Sequence, residues 1–315
     1  MTWPFAAFLF LVVVASPALL IYLRVSRRPA FRQSTKEVVV REPGKRFLGA
    51  PQPVAPEARK DLAFARLSQS AYEKIRPEQK SLDVSGAPQV DTALREAGWV
   101  PWPDFPDDGL EQEIAKSHLR LQVWTDRSHS SIAVAFGGTV FTSGKDWRSN
   151  FRWFIPHHND EYTEIVKAFA PAFAQEFLRR KEHPDWAFLQ DATIYATGHS
   201  LGGGLAQQFA YALPIDPAGP RVTHVFAFDP SPVTGFYSLK KNIREYNKRN
   251  LRIDRIYERG EILAILRSFT NFVYPPSRVN PSIRHVRYNL FWSFNPIAGH
   301  SIAELAHKLY EATRW

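Results

Sequence analysis

The chain has 315 residues, 44% apolar and 14% aromatic, which is enough for one sizeable core and excludes general disorder. Forty basic against 31 acidic residues leave a formal charge of 40 − 31 = +9, a balance that favours anionic partners such as a membrane surface or an acidic substrate. Cysteine is absent, which excludes disulfides, a thiolate nucleophile and cysteine-ligated zinc.

Residues 2–23 carry no charge and read "FAAFLFLVVVASPALLIYL" over most of their length. As a helix this run spans the roughly 30 Å hydrocarbon core of a bilayer. No basic residue precedes it and no Ala-x-Ala-like site follows it, so it reads as a retained transmembrane helix rather than a cleaved leader. Arg24, Arg27 and Arg28 then place the body of the protein on the cytoplasmic side by the positive-inside rule. Residues 1–28 are thus an anchor with a basic flank. Residues 29–60, with Pro29, Pro43, Pro51, Pro53 and Pro56, read as an extended linker. Residues 61–315 form a single domain.

A helix starts near Pro56, with Leu62, Ala65, Leu67, Ala71 and Tyr72 at near-helical spacing. "HLRLQVWTDRSHSSIAVAFGG" predicts two strands joined by a polar turn. An amphipathic helix follows over 160–182, placing Tyr162, Ile165, Val166, Phe169, Phe173 and Phe177 on one side. Beyond it strands at 192–197, 222–228, 251–257 and 284–290 alternate with helices at 201–212, 238–249 and 301–312. That alternation predicts an α/β fold, a mostly parallel central sheet flanked by helices.

"TIYATGHSLGGGLAQ" (193–207) joins one of these strands to its helix through Gly-His-Ser-Leu-Gly. A Gly-x-Ser-x-Gly alone is weak, but a strand-to-helix turn is where it carries chemistry. Gly198 and Gly202 let strand and helix approach closely, and the Ser200 side chain projects at the carboxyl end of the sheet. The N–H of Leu201 points into the same space at a helix N-terminus, where negative charge is favoured.

A serine hydroxyl needs a base, and the base a carboxylate. Among the histidines after Ser200, His224 and His285 fall on strands and His307 within a helix. His300, in "NPIAGHSI", lies between the last strand and the terminal helix, from where it can return to the sheet's carboxyl end. For the acid, Glu261 in "RIYERGEIL" follows one strand and is favoured; Asp229 in "VFAFDPSP" ends the strand before it and is the alternative. Glu258 and Asp254 read as surface or strand residues.

These residues resemble the class 3 lipases, a branch of the α/β-hydrolases, from about residue 60 to the end. "LAFARLSQSAY" is similar to that family's opening helix, "IAVAFGGTVFTSGKDWRSNF" to its strand ending in Phe-Arg-Gly-Ser/Thr, "GHSLGGGLA" to its nucleophile turn and "VFAFDPSPVTG" to its Phe-Gly-x-Pro-Arg-Val-Gly strand. The resemblance implies an ester hydrolase with Ser200 as nucleophile, His300 as the late histidine, and Thr139 supplying a second oxyanion N–H beside Leu201. It also implies a lid in "DWRSNFRWFIPHHND", where Trp147, Trp153 and Phe154 would meet substrate. The sequence departs from the family at the acid, where Glu261 followed by Ile262 and Leu263 replaces Asp-x-Val, and before Gly138 and Thr139, where Gly137 stands and the usual arginine is missing.

The expectation is therefore a membrane-anchored serine ester hydrolase, a lipase or phospholipase, acting on lipid or another acyl ester without metal or organic cofactor. A catalytically silent binding module and a thioesterase or small-ester esterase are the alternatives. His157, His158, Asp160 and Glu161 read as a solvated helix start rather than metal ligands. "KKNIREYNKR" reads as a solvated basic helix, with anionic headgroups as its sharper option. No nucleic-acid-binding motif accompanies the positive charge, and the oligomeric state is not legible.

Overall fold

A computed structural model describes residues 33–73, 89–138, 161–231, 234, 236–260, 277–291 and 300–315. The elements in chain order are β1 (Glu37–Arg41), β2 (Pro51–Pro53), α1 (Val54–Glu73), α2 (Val90–Glu96), β3 (Val100–Pro101), α3 (Asp108–Ala115), β4 (Leu121–Asp126) and β5 (Ser131–Phe136). They continue with α4 (Glu161–Glu164), a π-helical turn (Ile165–Phe169), α5 (Ala170–Lys181), β6 (Thr193–His199), α6 (Leu201–Ala212), β7 (Val222–Phe228), α7 (Lys241–Asn247), β8 (Arg252–Glu258), β9 (Ser282–Tyr288) and α8 (Ile302–Ala312).

Among the described residues nine strands form one sheet in the order β2-β1-β9-β8-β7-β6-β5-β4-β3. The five central strands, β5 to β9, run parallel, and the strands outside them join antiparallel. This is the expected α/β architecture. β5, "SIAVAF", is buried throughout, as a parallel strand covered on both faces must be. Its period-2 alternation divides the core. Ile132, Val134 and Phe136 face Phe169, Phe173, Leu205 and Phe209 on one side of the sheet. Ala133 and Ala135 face Leu67, Leu305 and Leu309 of α1 and α8 on the other.

The helix expected over 160–182 is helical from 161 to 181 but widens at Ile165–Phe169, where the Ala170 N–H reaches back to the Ile165 carbonyl. Pro171 supplies the reason: lacking an N–H, it cannot complete the regular ladder over that turn.

Two expectations need correction. Residues 29–60 are not a free linker, because β1 pairs with β9 and β2 with β1. Val38, Val39 and Val40 are 0–2% exposed, and the side chain of Gln33 donates to the Arg287 carbonyl at 2.9 Å. The prolines masked a β-branched run whose pairing covers the edge of β9. Consequently the sheet begins at Glu37, ahead of the expected boundary at 61. Asp254 and Glu258 both lie on β8, the strand alternative of their expectation, and both are buried. Asp254 is held by Lys60, by Arg284 at 3.4 Å and by His224 at 3.3 Å; Arg284 in turn pairs with Glu57 at 2.6 Å.

The anchor expected at residues 2–23 lies outside the described residues. Among the described residues no helix is long and apolar enough to cross a membrane.

Candidate active site

Ser200 sits between the end of β6 and the start of α6 with φ +56° and ψ −120°, a conformation that side-chain-bearing residues rarely adopt. Backbone bonds impose it. Its N–H donates to the Phe228 carbonyl at 2.9 Å, and its carbonyl accepts from Gly203 at 3.1 Å and from Ser231 at 2.9 Å. Two glycines make the turn fit. A Cβ on Gly198 would meet the Gly202 carbonyl oxygen at 2.3 Å, and one on Gly202 would meet the Phe136 carbonyl oxygen at 2.3 Å. The close approach expected of Gly198 and Gly202 is therefore present, and it locks α6 against β5 as well as β6. Leu201 is the first residue of α6, so its N–H has no partner within the helix.

Because β5 to β8 are parallel and nearly in register, their carboxyl ends open on one edge of the sheet. The ends are Gly137–Gly138, Ser200, Asp229 and Glu258. Asp229 is buried, has φ +40°, and takes the Glu258 N–H on Oδ1 at 3.3 Å. Its Oδ2 lies 3.9 Å from His199 Nε2. His300 is also buried, and its ring lies over that of His199 with centroids 4.6 Å apart. It is held there by α8, whose N-cap Ser301 accepts the Glu304 N–H at 3.3 Å. The structure thus gathers His300 and Asp229 around His199, the residue before Ser200 and Leu201. Glu261, Thr139, Trp147, Trp153 and Phe154 lie outside the described residues.

His199 and Tyr72 are additions. The Tyr72 hydroxyl donates to the His199 carbonyl at 3.1 Å and lies 3.2 Å from His199 Nδ1. His199 is the variable position of the Gly-x-Ser-x-Gly turn, and its identity was the only available signal. Tyr72 read simply as an apolar position of α1. Glu258 has its carboxyl pushed up to about 8 by burial, against the opposing pull of N–H donors from Leu290, Arg259 and Phe291.

The donor atoms of His199, Asp229 and His300 lie within 4.8 Å of one another. They are the chemical types that hold a transition metal. A tetrahedral ion with bonds of about 2.1 Å needs its ligands roughly 3.4 Å apart, and His199 Nε2 and Asp229 Oδ2 stand 3.9 Å apart.

Residues 63–216, which include β5, the serine turn and α6, match the family model of the Tle-like phospholipase domain, described as phospholipase-like. No curated protein sequence matches this chain. Among solved structures it is similar to a fungal lipase in an inhibitor complex, at 14% identity over 70% of this chain and 74% of that one, with a TM-score of 0.43. The native Rhizomucor miehei lipase–propeptide complex gives 13% identity over 75% and 66%, with a TM-score of 0.40. A Yarrowia lipolytica lipase gives 14% over 68% and 74%, with a TM-score of 0.39.

Proposed function

We propose that this protein is a serine ester hydrolase that cleaves a lipid carboxylic ester through an acyl-enzyme on Ser200. The observation that carries the reading is the strained serine turn with a buried histidine and a buried carboxylate gathered beside it. The phospholipase-like family match over residues 63–216 supports lipid as the substrate class.

Ser200 Oγ bonds to the ester carbonyl carbon as its proton passes to His300. The oxyanion is met by the N–H of Leu201 and, on the resemblance to class 3 lipases, that of Thr139. The bond to the alkoxy group then breaks, and His300 returns the proton to the departing alcohol. Water repeats the sequence and releases the acid. Asp229 orients His300 in this reading, as the described carboxylate of the cluster; Glu261 is the carboxylate favoured by the family resemblance. Residues 2–23 tether the enzyme to a membrane and the arginines at 24, 27 and 28 keep its body cytoplasmic, a placement supported by the sequence alone.

A fluorophosphonate probe tests the central claim. The parent protein takes the label and Ser200→Ala does not; labelling that survives this substitution removes Ser200 from the role. For the membrane placement, the full chain stays with the membrane fraction through carbonate extraction. Release of the full chain into the supernatant rejects the anchor.

A further inference from the structure

Tyr72, near the end of α1, places one hydroxyl between two backbone segments that meet at the carboxyl edge of the sheet. It donates to the His199 carbonyl at 3.1 Å and accepts the N–H of Gly138. The phenol ring also meets the His199 imidazole edge-on, with centroids 5.5 Å apart at 61°. Gly138 carries an independent sign of this contact. A Cβ there would stand 2.0 Å from the Tyr72 hydroxyl and 2.8 Å from the His199 carbonyl oxygen, so the loop leaving β5 reaches the hydroxyl only as glycine. Burial pushes the phenol well above its ordinary range, so it stays protonated and able to donate at any working pH.

We infer that Tyr72 is a positioning residue of the hydrolase, its hydroxyl pinning the backbone at Gly138 to the backbone at His199, the residue before Ser200. The inference rests on the reading of Ser200 as nucleophile. The hydroxyl sets the distance between the segment leading into residue 139 and the turn that presents Ser200 and Leu201. Two backbone donors serve one oxyanion only when that distance is held, and the interaction with charge grows in the transition state rather than on substrate binding. Loss of the hydroxyl therefore acts on kcat and spares KM.

The test is Tyr72→Phe in the full chain, assayed with a p-nitrophenyl ester. A fall in kcat of about 10- to 100-fold with KM held within about twofold supports the inference. Kinetic constants within about twofold of the parent, whatever the change in Tm, overturn it. Should Tyr72→Phe fail to fold, 3-fluorotyrosine at position 72 keeps the hydroxyl and reports by fluorine NMR. Its resonance moves when Ser200 is phosphonylated; an unmoved resonance overturns the inference. Ester turnover that persists in Ser200→Ala defeats the proposed function itself. An inactive Ser200→Ala beside a kinetically normal Tyr72→Phe defeats only the role of Tyr72.

Discussion

Ser200 stores backbone strain where the chemistry needs a projecting hydroxyl. A residue with a Cβ held at φ +56° and ψ −120° costs on the order of 1–3 kcal/mol, and glycine is free of that cost. Ser200→Gly is thus expected to unfold at a higher denaturant concentration, by about 1 kcal/mol, while losing all fluorophosphonate labelling. Ser200→Ala, which keeps the Cβ, loses labelling without the gain. The same scale separates the two candidate acids. With Asp229 orienting His300, Asp229→Asn lowers kcat by about 10³-fold while Glu261→Gln stays within about tenfold of the parent. The opposite ranking in a steady-state ester assay transfers the role to Glu261.

At the scale of elements, the site depends on how closely α6 and α8 approach the sheet. A Cβ on Gly202 would enter the Phe136 carbonyl at 2.3 Å, so Gly202→Ala must displace α6 or β5. The expected cost is about 2–3 kcal/mol with loss of labelling, measured by chemical denaturation beside the probe assay. The other helix positions His300, the proposed base. Ser301 caps α8 one residue after His300. Ser301→Ala is expected to cost about 1 kcal/mol and to loosen His300. A drop in Tm with no change in kcat would show that His300 is held by its other contacts.

Across the whole molecule, buried carboxyls make stability depend on pH in two directions. Asp61, buried in α1 and accepting the Tyr288 hydroxyl at 2.7 Å, has its carboxyl pushed up to about 7, chiefly by burial. Glu258 is pushed up to about 8 for the same reason. Both bind a proton more tightly folded than unfolded, so their contribution is complete below about pH 4 and is lost as pH rises through about 7 and 8. Asp254 behaves oppositely. Despite burial, its contacts with His224 and Lys60 hold its carboxyl well below the ordinary range, so its contribution is lost as pH falls below about 4. Tm is therefore expected to peak near pH 5 and decline toward pH 8. Asp61→Asn flattens that decline; an unchanged slope between pH 5 and 8 in calorimetry counts against it. The sheet edge makes a further prediction. A chain begun at residue 61 lacks β1 and β2 and leaves the β9 edge open, so it aggregates, whereas one begun at residue 30 remains monodisperse on size exclusion.

What the sequence determined by itself was local chemistry and local periodicity. The turn around Ser200, the alternation of strands and helices after it, and His300 ahead of the terminal helix were all legible, because each signal lies within about ten residues. The tertiary structure decided what depends on partners far along the chain. Val38 to Val40 became a strand only because β9, some 245 residues later, offers an edge to pair with. Asp254 could be buried because Lys60, His224 and Arg284 converge on it from three other elements. Tyr72 and His199, ordinary in their own segments, became neighbours because α1 packs across the sheet where β5 and β6 end. Periodicity reports which face of an element is buried; it carries no record of what that face will meet.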